Sequence, residues 1–196
     1  SSGCWRKKRK LIFMIRILAG KWKKTPIKVV QQCVLRPTPS RVRETLFNWI
    51  SLYKSVEDCR VLDLFCGSGI LGLEAVSRGA QEAVLIDKNK ETILNIKKTM
   101  LRLNCDSSIK TICTNSIHWL LVNTEEKFDI IFIDPPYKSN LLKKVLPISL
   151  NLLNKNGLIY LEGDFSSINM LEPYKELTLL KTGKTASVCY RLLKKI

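Results

Sequence analysis

A doubly wound, mostly parallel α/β sheet of seven strands, preceded by a small β-hairpin and a helix, is the fold that this 196-residue chain predicts. Three observations predict it. From Arg60 onward, short and nearly continuous apolar runs alternate with stretches of helical length, the texture of buried parallel strands joined by crossover helices. The first of those runs leads directly into a Gly-rich turn. The last two runs have no clear helix between them and read as a terminal hairpin.

Each element follows in order. Ile15, Ile17 and Ala19 alternate with Arg16 and Leu18 until Gly20 breaks the run. Lys21, Trp22, Lys23 and Lys24 form a basic turn, and Ile27, Val29 and Val30 return the chain. Leu35-Arg36-Pro37-Thr38-Pro39 is an extended linker, because the residue before a proline is pushed out of the helical region. Ser40 is expected to cap a helix reaching about Tyr53. Val42, Leu46, Phe47, Trp49 and Ile50 lie on its apolar side, with Arg41, Arg43 and Asn48 on other faces. Strands follow at 60–65, 82–87, 109–113, 128–134 and 157–162, then near 176–181 and 186–193. Helices are expected to Arg78, over 89–104, over 115–123 and over 139–153.

Apolar residues at 45% and charged residues at 26% suit a soluble globular protein and exclude wholesale disorder. No run of about 18 apolar residues suggests a membrane span. The chain divides by texture into 1–13, 14–58 and 59–196. Residues 1–13 read as a tag remnant or upstream extension, with Met14 a natural start. Their apolar stretch is too short for an export signal and is broken by Arg16. The formal charge is +16, of which +12 falls in the first sixty residues and +4 in the rest. Such segregation fits a phosphate-rich partner, although a Lys-rich surface gives the same sum. Seven scattered cysteines fit neither a zinc site nor a disulfide framework, so a reduced, cytoplasmic compartment and core-type cysteines are expected. The lone His118, beside Trp119, reads as a packed histidine rather than a ligand or base.

Four features fall where strands end and ligands bind in open α/β sheets. In Asp63-Leu-Phe65-Cys-Gly67-Ser68-Gly69, the glycines permit a sharp turn and close backbone approach. With Gly72 they complete G-x-G-x-x-G, a pattern that also suits a nicotinamide dinucleotide. Asp87 closes the second strand, where a carboxylate can accept from ribose hydroxyls or merely cap a helix. Asn115 and Ser116 are placed for adenine-edge contacts or for capping. Asp134-Pro135-Pro136-Tyr137 is a stiff turn stripped of two amide donors, with its carbonyls left as acceptors. A flat base can stack on Tyr137 and donate its exocyclic amine to Asp134 and the Pro135 carbonyl.

Asp63-x-Phe-x-Gly-x-Gly, Asp87 and Asp134-Pro-Pro-Tyr resemble the class I S-adenosylmethionine-dependent methyltransferases of exocyclic amines. Ile15-Arg-Ile-Leu-Ala-Gly-Lys-Trp-Lys, with Leu35-Arg-Pro-Thr-x-x-Arg41-Val-Arg-Glu-Thr-Leu-Phe-Asn-Trp49, is similar to the RsmD family of bacterial small-subunit (16S) ribosomal RNA guanine-N2 methyltransferases. The likeness runs over about 14–193 and includes Gly183 and Tyr190-Arg-Leu. It implies a Rossmann-like fold and S-adenosyl-L-methionine held by Asp63, Phe65, Gly67, Ser68 and Gly69. Asp87 would hold the ribose, Asn115 and Ser116 would lie near adenine, and Thr38 would fold over the cofactor. Asp134, Pro135, Pro136 and Tyr137 would receive a flipped guanine, with no metal. Lys21, Lys23, Lys24, Arg36, Arg41 and Arg43 would hold RNA phosphates. The implied partner is ribosomal RNA or a small-subunit assembly intermediate, met by a monomer without a membrane. Many relatives carry Glu where Asp87 stands. The alternatives are an adenine-N6 or cytosine-N4 amino-methylase and, on the glycine pattern alone, an NAD-dependent oxidoreductase.

Overall fold

A computed structural model describes residues 11–31, 38–105, 107–137, 139–169 and 174–196. Strands β1 (Leu11–Arg16) and β2 (Pro26–Gln31) form an antiparallel hairpin, with Ile15 opposite Ile27. β1 thus takes in Leu11, Ile12 and Phe13, the last three residues of the segment that reads as a tag remnant or upstream extension. Helix α1 spans Ser40–Tyr53. Then come β3 (Arg60–Asp63), α2 (Ile70–Ser77), β4 (Glu82–Asp87), α3 (Lys90–Arg102), β5 (Ile109–Cys113) and α4 (Ser116–Val122). β6 (Phe128–Ile133), α5 (Leu141–Leu152), β7 (Leu153–Gly163), α6 (Phe165–Asn169), β8 (Leu177–Lys184) and β9 (Cys189–Lys195) complete the chain. The seven strands run β5-β4-β3-β6-β7-β9-β8, with β9 antiparallel to both neighbours. The chain order reverses between β3 and β6, so the crevice of this sheet opens there.

Strand periodicity divides the core into two layers. Val61, Leu85, Ile130, Phe132, Leu158 and Tyr160 face α1, α2, α3 and the hairpin residues Ile17 and Ile27. Leu62, Val84, Ile86, Ile131, Ile133, Ile159 and Leu161 face α4, α5 and α6. This is the burial on both faces that the continuous apolar runs demand. The hairpin and α1 therefore share the core of the sheet, with Phe47 edge-on to Phe132 and Trp49 stacked on Tyr190.

Three local expectations are corrected. Pro39, not Ser40, precedes the first helical residue of α1 and makes no side-chain cap. Ser40 Oγ instead accepts from the Arg43 guanidinium at 3.2 Å. Arg43 itself is fully buried: it donates to the Arg16 carbonyl at 3.1 Å and pairs with buried Glu74 at 3.5 Å. His118 is exposed on α4, since the turn that buries Trp119 and Leu120 points it outward. Among the described cysteines, Cys59, Cys66 and Cys189 are buried, whereas Cys113 is exposed. No helix among the described residues is long and apolar enough to cross a membrane.

Glu74 organises the docking of the hairpin. Its carboxylate accepts from the Leu18 and Ala19 amides at 2.9 and 3.0 Å and from Arg78 at 2.9 Å. Ser77 adds a bond from Trp22 N and one to the Ala19 carbonyl. At Gly20 the chain passes so close to α2 that an added Cβ would lie 1.7 Å from the Ser77 carbonyl oxygen.

Candidate active site

The site arises from strand register. Asp63 ends β3, Asp134 follows β6 and Glu162 lies at the end of β7. The pairing Ile133↔Leu161 brings Asp134 level with Glu162, whereas Asp63 is opposite Phe132, one side-chain repeat earlier on the adjacent strand. By alternation all three acids leave the sheet on the face that carries Val61, Phe132 and Tyr160, the face covered by α1 and the hairpin. Together they line one cleft of about 780 Å³. That volume lies within the usual span of small-molecule sites.

One wall is the turn after β3. Phe65, Cys66, Gly67 and Ser68 line the cleft, and Gly69 sits behind them as the left-handed residue before α2 (φ 76°). A Cβ at Gly67 would meet nothing within 4 Å, so open space lies against this backbone. One at Gly72 would lie 2.2 Å from Leu85 Cδ2, so this third glycine serves helix–strand packing. Asp134, Pro135, Pro136 and Tyr137 form another wall, with Tyr137 53% exposed. Thr38, Pro39 and Val42 close a third side, and the β8–β9 turn, Thr185 to Val188, a fourth.

The electrostatics are those of acids crowded away from water. Burial pushes the Asp63 carboxyl up to about 7, opposed by a hydrogen bond from the Phe65 amide and aided by Asp87. Asp134 is held well above the usual carboxylate range by burial and by Glu162 and Asp63, while the Thr38 hydroxyl bonds its charged form. Glu162 is likewise raised by burial, opposed by a bond from Tyr160. Asp63 Oδ1 is buried with no hydrogen-bond partner, and so is Ser139 Oγ, among the described residues.

Not every sequence candidate reaches this cleft. Asp87 braces the glycine turn instead: Oδ2 accepts from Gly67 N at 3.1 Å and Oδ1 from Asn89 N at 2.8 Å. Asn115 caps α4 by accepting from the Ile117 and His118 amides, and buried Ser116 donates to the Leu64 carbonyl. None of these three lines the cleft. Of the basic candidates, Lys21, Lys23, Lys24 and Arg41 are exposed, with Lys21 lying over the Trp22 ring. Arg36 lies outside the described residues. Arg43 is withdrawn as a phosphate ligand, because its charge is enclosed with Glu74. Sequence reasoning passed over Glu162 and Glu74. Glu162 had a usable signal, an acid closing an apolar strand as Asp63, Asp87 and Asp134 do. Glu74 had another, a lone charge within the apolar helix Ile70–Ser77.

The residues present fit S-adenosylmethionine on two observations: an orphaned buried carboxylate oxygen on Asp63, able to accept from an ammonium group, and the unobstructed backbone at Gly67. Comparison with known proteins identifies the family. The family model described as conserved hypothetical protein 95 matches residues 15–194. The chain is 39% identical to the ribosomal RNA small subunit methyltransferase D of Buchnera aphidicola (subspecies Baizongia pistaciae), over 95% of this chain and 94% of that one. It is 36% identical to the protein of the same name from Haemophilus influenzae, over 91% and 92%. Among solved structures, the Escherichia coli protein yhhF, described as a methyltransferase, superposes with a TM-score of 0.83 at 31% identity, covering 93% of this chain and 98% of that one. By family model, sequence and fold alike, this chain belongs to the ribosomal RNA small subunit methyltransferase D family.

Proposed function

We infer that this protein transfers the methyl group of S-adenosylmethionine to the exocyclic N2 amine of a guanine in small-subunit (16S) ribosomal RNA. The observation that carries this is that the wall Asp134–Tyr137 and the Gly67 turn line one cleft, in a chain of this family. Hydride transfer by a nicotinamide enzyme has no use for that wall. An adenine or cytosine amino-methylase shares the wall but not the family.

Asp63, Phe65, Gly67, Ser68 and Gly69 are proposed to hold the cofactor's methionine half. Asp87 braces their turn and offers its remaining lone pairs to the ribose. Asn115 and Ser116 fix the start of α4 near the adenine. S-adenosylmethionine supplies a methyl group on a positively charged sulfonium, a good leaving group, so the protein's task is positioning and charge. Tyr137 stacks the flipped base. Asp134 and the Pro135 carbonyl accept the N2 protons, aim the nitrogen lone pair and favour the positive charge that grows on it. The raised basicity of Asp134 suits it to take the proton that N2 must shed. Thr38 orients that carboxylate through its hydrogen bond.

Lys21, Lys23, Lys24 and Arg41 present the exposed positive charge just ahead of the cleft, and they are proposed to grip RNA phosphates of the small subunit or its assembly intermediate in the cytoplasm. Arg36 belongs to the same basic segment. Every proposed contact comes from one chain, so a monomer suffices. Reversing two charges, Lys23→Glu with Arg41→Glu, is expected to lower the slope of log affinity against log salt by roughly 2. An unchanged slope in filter binding would remove both residues from the RNA face.

Cofactor affinity is expected to depend on pH through Asp63. Its folded value of about 7 lies above its ordinary 3.8, so burial favours the neutral form. Its contribution to the stability of the free protein is therefore complete below about pH 4 and is lost as pH rises through about 7. Binding a cationic amino group requires the charged form, so affinity rises over that same window. Titration calorimetry with S-adenosylhomocysteine checks this; Asp63→Asn should flatten the profile and weaken binding throughout.

The function itself is tested by tritiated methyl transfer onto small ribosomal subunits and nucleoside analysis of the product. N2-methylguanosine is expected. Label on adenosine or cytidine, or none with RNA and some with DNA, would overturn the assignment.

A further inference from the structure

The cleft contains one acid for which methyl transfer has no use. Glu162 stands beside Asp134, since Ile133 and Leu161 pair in parallel register immediately before them. It is only 8% exposed, yet it lines the cleft. No cation pairs with it among the described residues. Burying a carboxylate without a counter-ion is costly, so its place there calls for a ligand. Its position is also closely held. The Tyr160 hydroxyl donates to Oε2 at 2.8 Å. Tyr160 is packed between Phe132 and Tyr190, with ring centroids 6.3 and 6.4 Å away. Trp49 of α1 stacks on Tyr190 at 5.4 Å. An aromatic column thus runs from α1 to this one carboxylate, and it includes two residues, Trp49 and Tyr190, that the transfer chemistry left unexplained.

The Asp134 wall recognises an amine, and adenine and cytosine present amines too. What distinguishes guanine beside its N2 amine is N1–H, a donor, where adenine carries a bare acceptor. An acceptor next to Asp134 would bond the first and repel the second, and a site built to satisfy a donor rejects strongly the analogue that lacks it. Resting on the guanine-N2 activity inferred for this cleft, we propose that Glu162 is the guanine-selecting residue: its carboxylate accepts N1–H of the base whose N2 amine Asp134 holds, and Tyr160, Tyr190 and Trp49 position it. Charged or neutral, Glu162 keeps an oxygen that accepts.

The test uses small-subunit RNA in which the methylated guanine, located from the wild-type product, is replaced by 2,6-diaminopurine. Both bases carry an amine at C2, but diaminopurine has no N1–H. The wild-type enzyme is expected to favour guanine by roughly 10²-fold or more in kcat/KM. Glu162→Gln keeps the side chain's shape and its acceptor for Tyr160, and adds an amide donor for the bare N1. It should cut the preference at least about tenfold, partly by raising turnover of diaminopurine. Equal loss on both bases, with the preference unchanged, would make Glu162 merely structural and overturn the proposal. So would a wild-type enzyme that does not discriminate, a result that needs no variant. Should the Gln variant fail to fold, Tyr160→Phe carries the test: releasing the tether should lower the preference while S-adenosylhomocysteine still binds, and an unchanged preference overturns the proposal. Failure of the underlying activity is seen separately, as absence of label on guanine N2 with the wild-type enzyme.

Discussion

Asp134→Ala is expected to lower kcat by roughly 10²–10³-fold, the usual effect of deleting one preorganised group that stabilises developing charge. Cofactor affinity should change by less than about threefold, because a group acting only on the amine contributes to the transition state and not to cofactor binding. Asp134 lies beside Glu162 and near Asp63 and is bonded by Thr38, so the alanine variant also relieves a crowded cluster of acids. A thermal melt is expected to show stability kept or raised, so that unfolding does not account for the loss. Asp134→Asn separates two duties. The amide oxygen can still accept from N2 but cannot take its proton, so turnover should fall between wild type and alanine. Single-turnover methyl transfer with saturating cofactor measures both. Near-wild-type turnover in Asp134→Ala would remove this residue from the chemistry.

The largest effect on stability is expected from Glu74→Ala. Glu74 and Arg43 are both fully enclosed, so removing the carboxylate leaves a buried guanidinium without its counter-ion and the Leu18 and Ala19 amides without their acceptor. Breaking a buried pair from one side costs about 3–5 kcal/mol, or a fall in Tm of roughly 6–20 °C at this chain length. Glu74→Gln should cost less, since one amide keeps an acceptor. Arg43→Met combined with Glu74→Gln should recover part of the loss, because no charge is then stranded. Differential scanning calorimetry of wild type, Arg43→Met, Glu74→Gln and the double variant closes the cycle. A loss under about 1 kcal/mol in Glu74→Ala would show that the hairpin docks without this pair. The same variant should weaken RNA binding more than cofactor binding, because the exposed lysines ride on the hairpin that Glu74 anchors.

Much of the site was legible because its signals are local. The Gly67–Gly69 turn, the acid that closes each strand and the Asp134-Pro-Pro-Tyr turn are each specified within a few residues. Where candidates went astray, the cause was a partner distant in sequence. Arg43 looks like a surface cation on a helix with charged neighbours, and only Glu74, 31 residues on, makes it a core residue. Asn115 and Ser116 keep their capping and tethering bonds near the strand end, a use that their sequence allowed equally. His118 has an apolar neighbourhood in sequence, but the rotation of a seven-residue helix turns it to water.

By itself the sequence determined the strand and helix order and the two turns that line the cleft at the strand ends, because hydrophobic period and turn composition are properties of short segments. Only the tertiary structure decided which acids meet. Strand register sets Asp134 beside Glu162 with Asp63 one repeat away on the same face, whereas Asp87 turns to the glycine loop. It also decided which positive charges stay free for RNA, since a guanidinium enclosed beside a carboxylate has no field to offer a phosphate. Register and burial are set by pairing between segments far apart in the chain, and no window of sequence contains both partners.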